Sequence, residues 1–138
     1  MNRAARTDLL RELEHIQQHG DHMSMLVITV RGTCDGLMAG IKEKEFSLDY
    51  PHAGWLDFMR GHRFATFCRK RGLSLRTEKW GKERVSRVAI GSVAVDAVET
   101  IDRCFAEVYH HSGHFDLDLR GFGWQPSSSH NGPADNAT

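Results

Sequence analysis

The chain holds 138 residues, 40% of them hydrophobic, and its 18 Lys and Arg balance 18 Asp and Glu. That length suits one domain able to bury a core without metals or disulfides. The longest apolar run, Met25-Leu26-Val27-Ile28, is too short for a spanning helix, and Cys34, Cys68 and Cys104 are too few and too scattered for a disulfide framework. The opening residues MNRAARTDLLRELEHIQQ lack the apolar stretch of a signal peptide, so the expected compartment is the cytoplasm.

Leu9, Leu10, Leu13 and Ile16 recur at helical spacing, which predicts a first helix from a Thr7 cap to Gly20. Met23 to Arg31 reads as a buried strand because β-branched and large apolar residues crowd it. Thr33-Cys34-Asp35-Gly36 is turn chemistry. Two further strands are expected, one within Leu37–Lys44 and one over Glu45–Tyr50, where Phe46, Leu48 and Tyr50 share a face and Pro51 is expected to end the element. Trp55, Phe58, Met59 and His62 begin a helical stripe that Phe64, Phe67 and Cys68 continue, with Gly61 placed to split it into two short helices.

The segment around Gly81-Lys82 is the most specific. Leu73–Trp80 and Glu83–Ile90 flank a two-residue turn whose glycine suits type II′. That turn pairs Trp80 with Glu83, Thr77 with Ser86, Leu75 with Val88 and Leu73 with Ile90, all without a slip in the apolar pattern. It also sets Arg76 opposite Arg87, and two like charges so placed need an acidic neighbour. Downstream, Asp96-Ala-Val-Glu99 resembles a capping box, and Ala97, Val98, Ile101, Cys104, Phe105 and Val108 form a helical stripe. Phe115, Leu117 and Leu119 then alternate with Asp116, Asp118 and Arg120 as a half-buried strand. The expectation is a single α+β domain over residues 1–124, mainly an antiparallel sheet, in the order α-β-β-β-α-β-β-α-β. Residues 125–138 (QPSSSHNGPADNAT) read as a disordered tail.

This element order, over residues 7–113 and closing on CFAEVYHHSGHFDLDLRGFGW, resembles the type III secretion chaperone-like superfamily. The resemblance implies a small peptide-binding α/β domain that often dimerises. The strand after the last helix departs from the simplest secretion chaperones, and no residue motif carries functional positions across.

Charge is unevenly spread. Residues 60–87 hold ten Lys and Arg against two acids, a local net of +8, and the remainder carries −8. With Phe64, Phe67 and Trp80 interleaved, this segment is a nucleic-acid candidate, although the overall balance argues against a dedicated one. Two histidine clusters, His15/His19/His22 and His110/His111/His114 with Asp116 and Asp118, contain metal-ligand types without a known ligand spacing, so a metal-dependent enzyme is a further alternative. Cys34 lies in a turn where a thiolate could act, given a base. No phosphate-binding loop, dinucleotide fingerprint or nucleophile elbow is present, so no cofactor is expected. The expected function is a non-enzymatic protein- or peptide-binding domain, an adaptor or chaperone-like module and a possible homodimer. Its partner-binding residues would be Arg76, Trp80 and Arg87, which suit an acidic, partly apolar segment.

Overall fold

The structure, a computed structural model, describes residues 1–52 and 57–123. Its elements are α1 (Arg3–His19), β1 (Met25–Val30), β2 (Gly36–Lys42), β3 (Glu45–His52), α2 (Phe58–Lys70), β4 (Leu75–Trp80), β5 (Glu83–Gly91), α3 (Ala94–Val108) and β6 (Leu117–Phe122). This is the expected α+β order. All the strands pair antiparallel in one sheet, β4-β5-β3-β2-β1-β6. No helix among the described residues is long and apolar enough to cross a membrane. Trp55 and the expected tail at 125–138 lie outside the described residues.

Strand alternation decides what the sheet offers to each side. Leu26 and Ile28, Leu37 and Ala39, Phe46 and Leu48, and Val88 project to one face, where they join Leu9, Leu13 and Ile16 of α1 and Phe64 and Phe67 of α2. Ala97, Val98, Ile101, Cys104 and Phe105 of α3 complete this core, and α3 packs against both other helices. All three helices of the described residues therefore pack on one face, and the other carries no helix. Val85 shows how the second face differs: it is buried yet stands outside this core cluster.

Several boundaries depart from the sequence reading. Asn2 caps α1, accepting from the Ala5 N–H at 2.7 Å, so the helix starts a full turn before Thr7. Gly20 is the C-cap in extended conformation. Pro51 does not end β3, because the ladder with β2 stops at Met38↔Asp49 and leaves a free side that tolerates its missing N–H. Gly61 does not split α2. A Cβ there would meet His52 Cε1 at 3.2 Å, so the absent side chain lets an unbroken helix approach β3. Phe58 and Met59, expected on the apolar stripe, are exposed. Helix α3 begins at Ala94 without a side-chain cap, which puts Asp96 inside its first turn.

The hairpin holds the expected register from Trp80↔Glu83 through Leu75↔Val88. Gly81 takes φ +68° and Lys82 does not turn positive, as type II′ requires. The ladder stops at Leu75, so Leu73 and Ile90 are not paired, though both pack against the core. A second tight turn, Glu43-Lys44, has φ of 52° and 70° without any glycine. Gln17 Nε2 anchors it by donating to the Lys44 carbonyl at 2.8 Å and the Ser92 carbonyl at 2.7 Å.

Candidate binding face

Arg76, Trp80 and Arg87 share the uncovered face, as the register dictates: Arg76 opposes Arg87, and Trp80 lies four pairs nearer the turn. Their exposure is unequal. Arg76 is open to solvent, whereas Arg87 is only 26% exposed and Trp80 is half-buried. The three expected partner-binding residues therefore share a face, but Arg87 is held back from solvent by what surrounds it.

β3 runs beside β5 and sets Asp49 directly opposite Arg87. The Arg87 guanidinium donates Nε to Asp49 Oδ1 at 2.7 Å and Nη2 to Oδ2 at 2.8 Å, a planar fork matched to a carboxylate. Asp49 is completely buried. Burial pushes its carboxyl above the ordinary range, although Arg87 opposes that shift, and the hydrogen bond to Asp49 raises the guanidinium in turn. The bidentate geometry fits the ionised pair. Arg87 also lies over the Trp80 ring, 5.0 Å from its centroid, which adds a cation–π contact. Glu78 completes the network. It accepts from Trp80 Nε1 at 3.1 Å and lies 3.3 Å from Arg76 and 3.8 Å from Arg87. Asp49 and Glu78 are thus the acids that the opposed arginines require. Asp116 and Asp118 cannot serve, since both pair with Arg31 beside β6 at the far edge of the sheet.

Much of the remaining basic segment is also matched inside the fold. Arg71 meets Glu107 at 2.7 Å and lies over the Phe67 ring, and that contact holds the Glu107 carboxyl below its usual range. Arg60 lies over Tyr109, 3.5 Å from Asp35 and 3.8 Å from Asp57, while its buried Nε has no partner among the described residues. Tyr50 donates its hydroxyl to Asp57, and burial pushes that phenol upward. Tyr109 donates to the Gly36 carbonyl at 2.6 Å.

The histidine clusters do not converge. His15 and His19 place their rings 4.6 Å apart, His111 Nε2 pairs with Asp35 at 2.7 Å, and Asp116 and Asp118 belong to Arg31. Among the described residues no three His, Cys, Asp or Glu groups are placed to hold a metal ion. Cys34 is exposed. Burial pushes the Cys68 thiol up to about 11 and raises Cys104 as well, so neither is a ready thiolate. No family model, curated protein or solved structure matches this chain.

Proposed function

We propose that this chain is a non-enzymatic protein-binding domain, an adaptor or chaperone-like module of the cytoplasm that works as a homodimer. In this reading the β4–β5 end of the uncovered face takes an acidic, partly apolar segment of another protein. One observation carries it: Arg87 is fixed by buried Asp49 beneath Trp80, next to the exposed Arg76. A guanidinium held in place loses little entropy when it binds, and Arg and Trp are favoured anchors of protein interfaces. The outer edge of β4 is unpaired in the sheet, so an extended segment could add its backbone there. The resemblance in element order supports the same reading. Nucleic-acid binding is the weaker alternative because Arg60 and Arg71 of the basic segment are matched to acids within the fold.

The test is capture from lysate on the full immobilised chain, with the eluate assayed for protein and nucleic acid. A stoichiometric protein partner is expected, with capture lost on Arg76→Glu. That substitution should change stability by under about 1 kcal/mol, as for exposed ion pairs. Recovery of nucleic acid alone, removable by nuclease and salt, would overturn the reading.

A further inference from the structure

β4 lies at one end of the sheet and has β5 as its sole neighbour among the described strands. Which of its residues face the open edge follows from the hairpin. Pairs in an antiparallel ladder alternate between those that exchange backbone hydrogen bonds and those that do not. The two-residue turn closes on Trp80↔Glu83 as a hydrogen-bonded pair, so Glu78 and Arg76 also direct their backbone groups at β5. Leu75, Thr77 and Lys79 direct theirs outward, and all three are exposed. The other end of the sheet is guarded: Arg31 donates to the Leu117 carbonyl and holds Asp118 of β6.

We propose that the β4 edge pairs antiparallel with β4 of a second copy, centred on Thr77, and joins two six-stranded sheets into one. The inference deepens the homodimer reading above by naming its interface. The extended segment added at this edge is then the second copy's own strand, which leaves the uncovered face to the partner protein. A two-fold axis that matches outward-facing backbone groups with their like must centre the ladder on a single residue. Charge selects among those centres. Thr77 at the centre sets Arg76 of each copy opposite Glu78 of the other, twice over. Arg76, Glu78 or Lys79 at the centre would set a charge against its own kind, and Leu75 or Trp80 would run the ladder off the strand. The Arg76 and Glu78 pairs fall where no backbone bonds form, the positions at which side chains lie closer. Glu78 is already engaged, since Oε1 accepts from Trp80 Nε1 and Oε2 lies 3.3 Å from Arg76 of its own chain. A carboxylate offers about four acceptor sites, so a second arginine adds to the first without displacing it. Arg76 and Arg87 are balanced by Asp49 and Glu78, and a neutral patch of alternating sign meets its own copy without net repulsion. On the helix side Lys79, whose neighbour Arg84 shares its sign, falls beside Leu75 of the second copy and covers that exposed leucine with its stem.

The test is sedimentation equilibrium of the full chain and its variants, with amide spectral dispersion as the check that each is folded. The unaltered chain should dimerise. Arg76→Glu turns both cross-strand pairs into like charges and should raise the dimer Kd at least about tenfold. Glu78→Arg should do the same with the opposite sign. Mixing these two variants should restore a one-to-one heterodimer, because each then meets the opposite charge at both positions. Thr77→Pro removes an N–H that faces the edge and leaves the β4–β5 ladder whole, so it should be a folded monomer. It decides the matter alone if Glu78→Arg disturbs Trp80 and fails to fold. A mixture that stays monomeric with both variants folded would overturn the inference. A dimer that survives Thr77→Pro would overturn it too, and would leave the homodimer reading standing on another face. A monomer at every concentration would overturn both, while capture from lysate would still test the protein-binding reading separately.

Discussion

Leu48 and Asp49 are neighbours in β3, equally inaccessible to solvent, and point to opposite faces of the sheet. Leu48 is covered by a layer of helices whose contribution is apolar contact. Asp49 has no such layer and is sealed by its strand neighbours, above all the Arg87 guanidinium under Trp80. The first kind of burial is stabilising by area and fills space with groups that need no partner. The second desolvates a charge and offsets that cost only while the fork stays intact. A helix-covered face can therefore drift in sequence if volume is kept, whereas the uncovered face depends on particular atoms.

The sharpest way to break this comparison is to empty each side in turn. Leu48→Ala should cost about 3 kcal/mol in urea unfolding, by lost transfer energy and a residual cavity, with no change across acidic pH. Arg87→Ala should cost about 2–3 kcal/mol, somewhat below a fully buried pair because Arg87 is partly exposed. Its loss should be pH-dependent. Without Arg87 the Asp49 carboxyl rises further, so the native state holds that proton more tightly than the unfolded chain. The variant then recovers stability, relative to the unaltered protein, as pH falls through the carboxylate range. Replacing both partners, Asp49→Leu with Arg87→Met, should cost less than Arg87→Ala alone. A double variant as damaged as the single one would mean the pair contributes more than its own neutralisation.

A smaller effect is expected from His52, a polar group on the helix-covered side whose Nε2 meets Ser86 Oγ at 2.6 Å. Burial, and then the charge of Arg84, hold its imidazole below the ordinary 6.5. The native state therefore takes up this proton less readily than the unfolded chain. Stability from this group is complete above pH 6.5 and declines as pH falls through and below that value. Thermal melts as a function of pH should show this decline, and His52→Gln should flatten it. The smallest effect belongs to the Glu43-Lys44 turn, which joins β2 to β3. Left-handed φ at two ordinary residues is a cost that asparagine bears more easily. Glu43→Asn should raise stability by about 0.5 kcal/mol in urea unfolding, and a decrease would mean Glu43 has a role beyond the turn.

What could be read from the sequence follows the distance between cooperating residues. The hairpin register was legible from Trp80↔Glu83 to Leu75↔Val88 because its turn glycine and its apolar alternation are local and agree, while the expected Leu73–Ile90 pair falls past the end of the ladder. The α3 stripe was legible too, since six side chains three and four apart describe one face. Asp49 was missed. It sits between Leu48 and Tyr50, where alternation assigns it simply to the polar side, and its partner lies 38 positions away across a pairing that no local pattern specifies. A signal did exist: opposed Arg76 and Arg87 demand an acid on an adjoining strand, and β3 carries two on that side of its alternation, Glu45 and Asp49, of which Asp49 falls opposite Arg87. Asp116 and Asp118 were the more conspicuous pair, but β6 joins the sheet at β1, the edge away from the hairpin. The exposed Phe58 and Met59 escaped for the converse reason, because helical spacing shows which residues share a stripe and not whether anything packs on it.

The place of β6 has a bearing on how the molecule is made. It pairs with β1 from Val30↔Leu117 to Met25↔Phe122, so the first strand gains its second neighbour only from the last. Translation at about 5–20 residues per second leaves an interval on the order of ten seconds between the two. Throughout it β1, carrying Leu26, Ile28 and Val30, has one bare edge of unpaired backbone and an apolar face, the template on which nascent chains misassociate. When β6 docks, Arg31 closes the seam by reaching Asp116, Asp118 and the Leu117 carbonyl. The emerging polypeptide thus spends most of its synthesis with β1 unguarded on one side until β6 emerges from the ribosome.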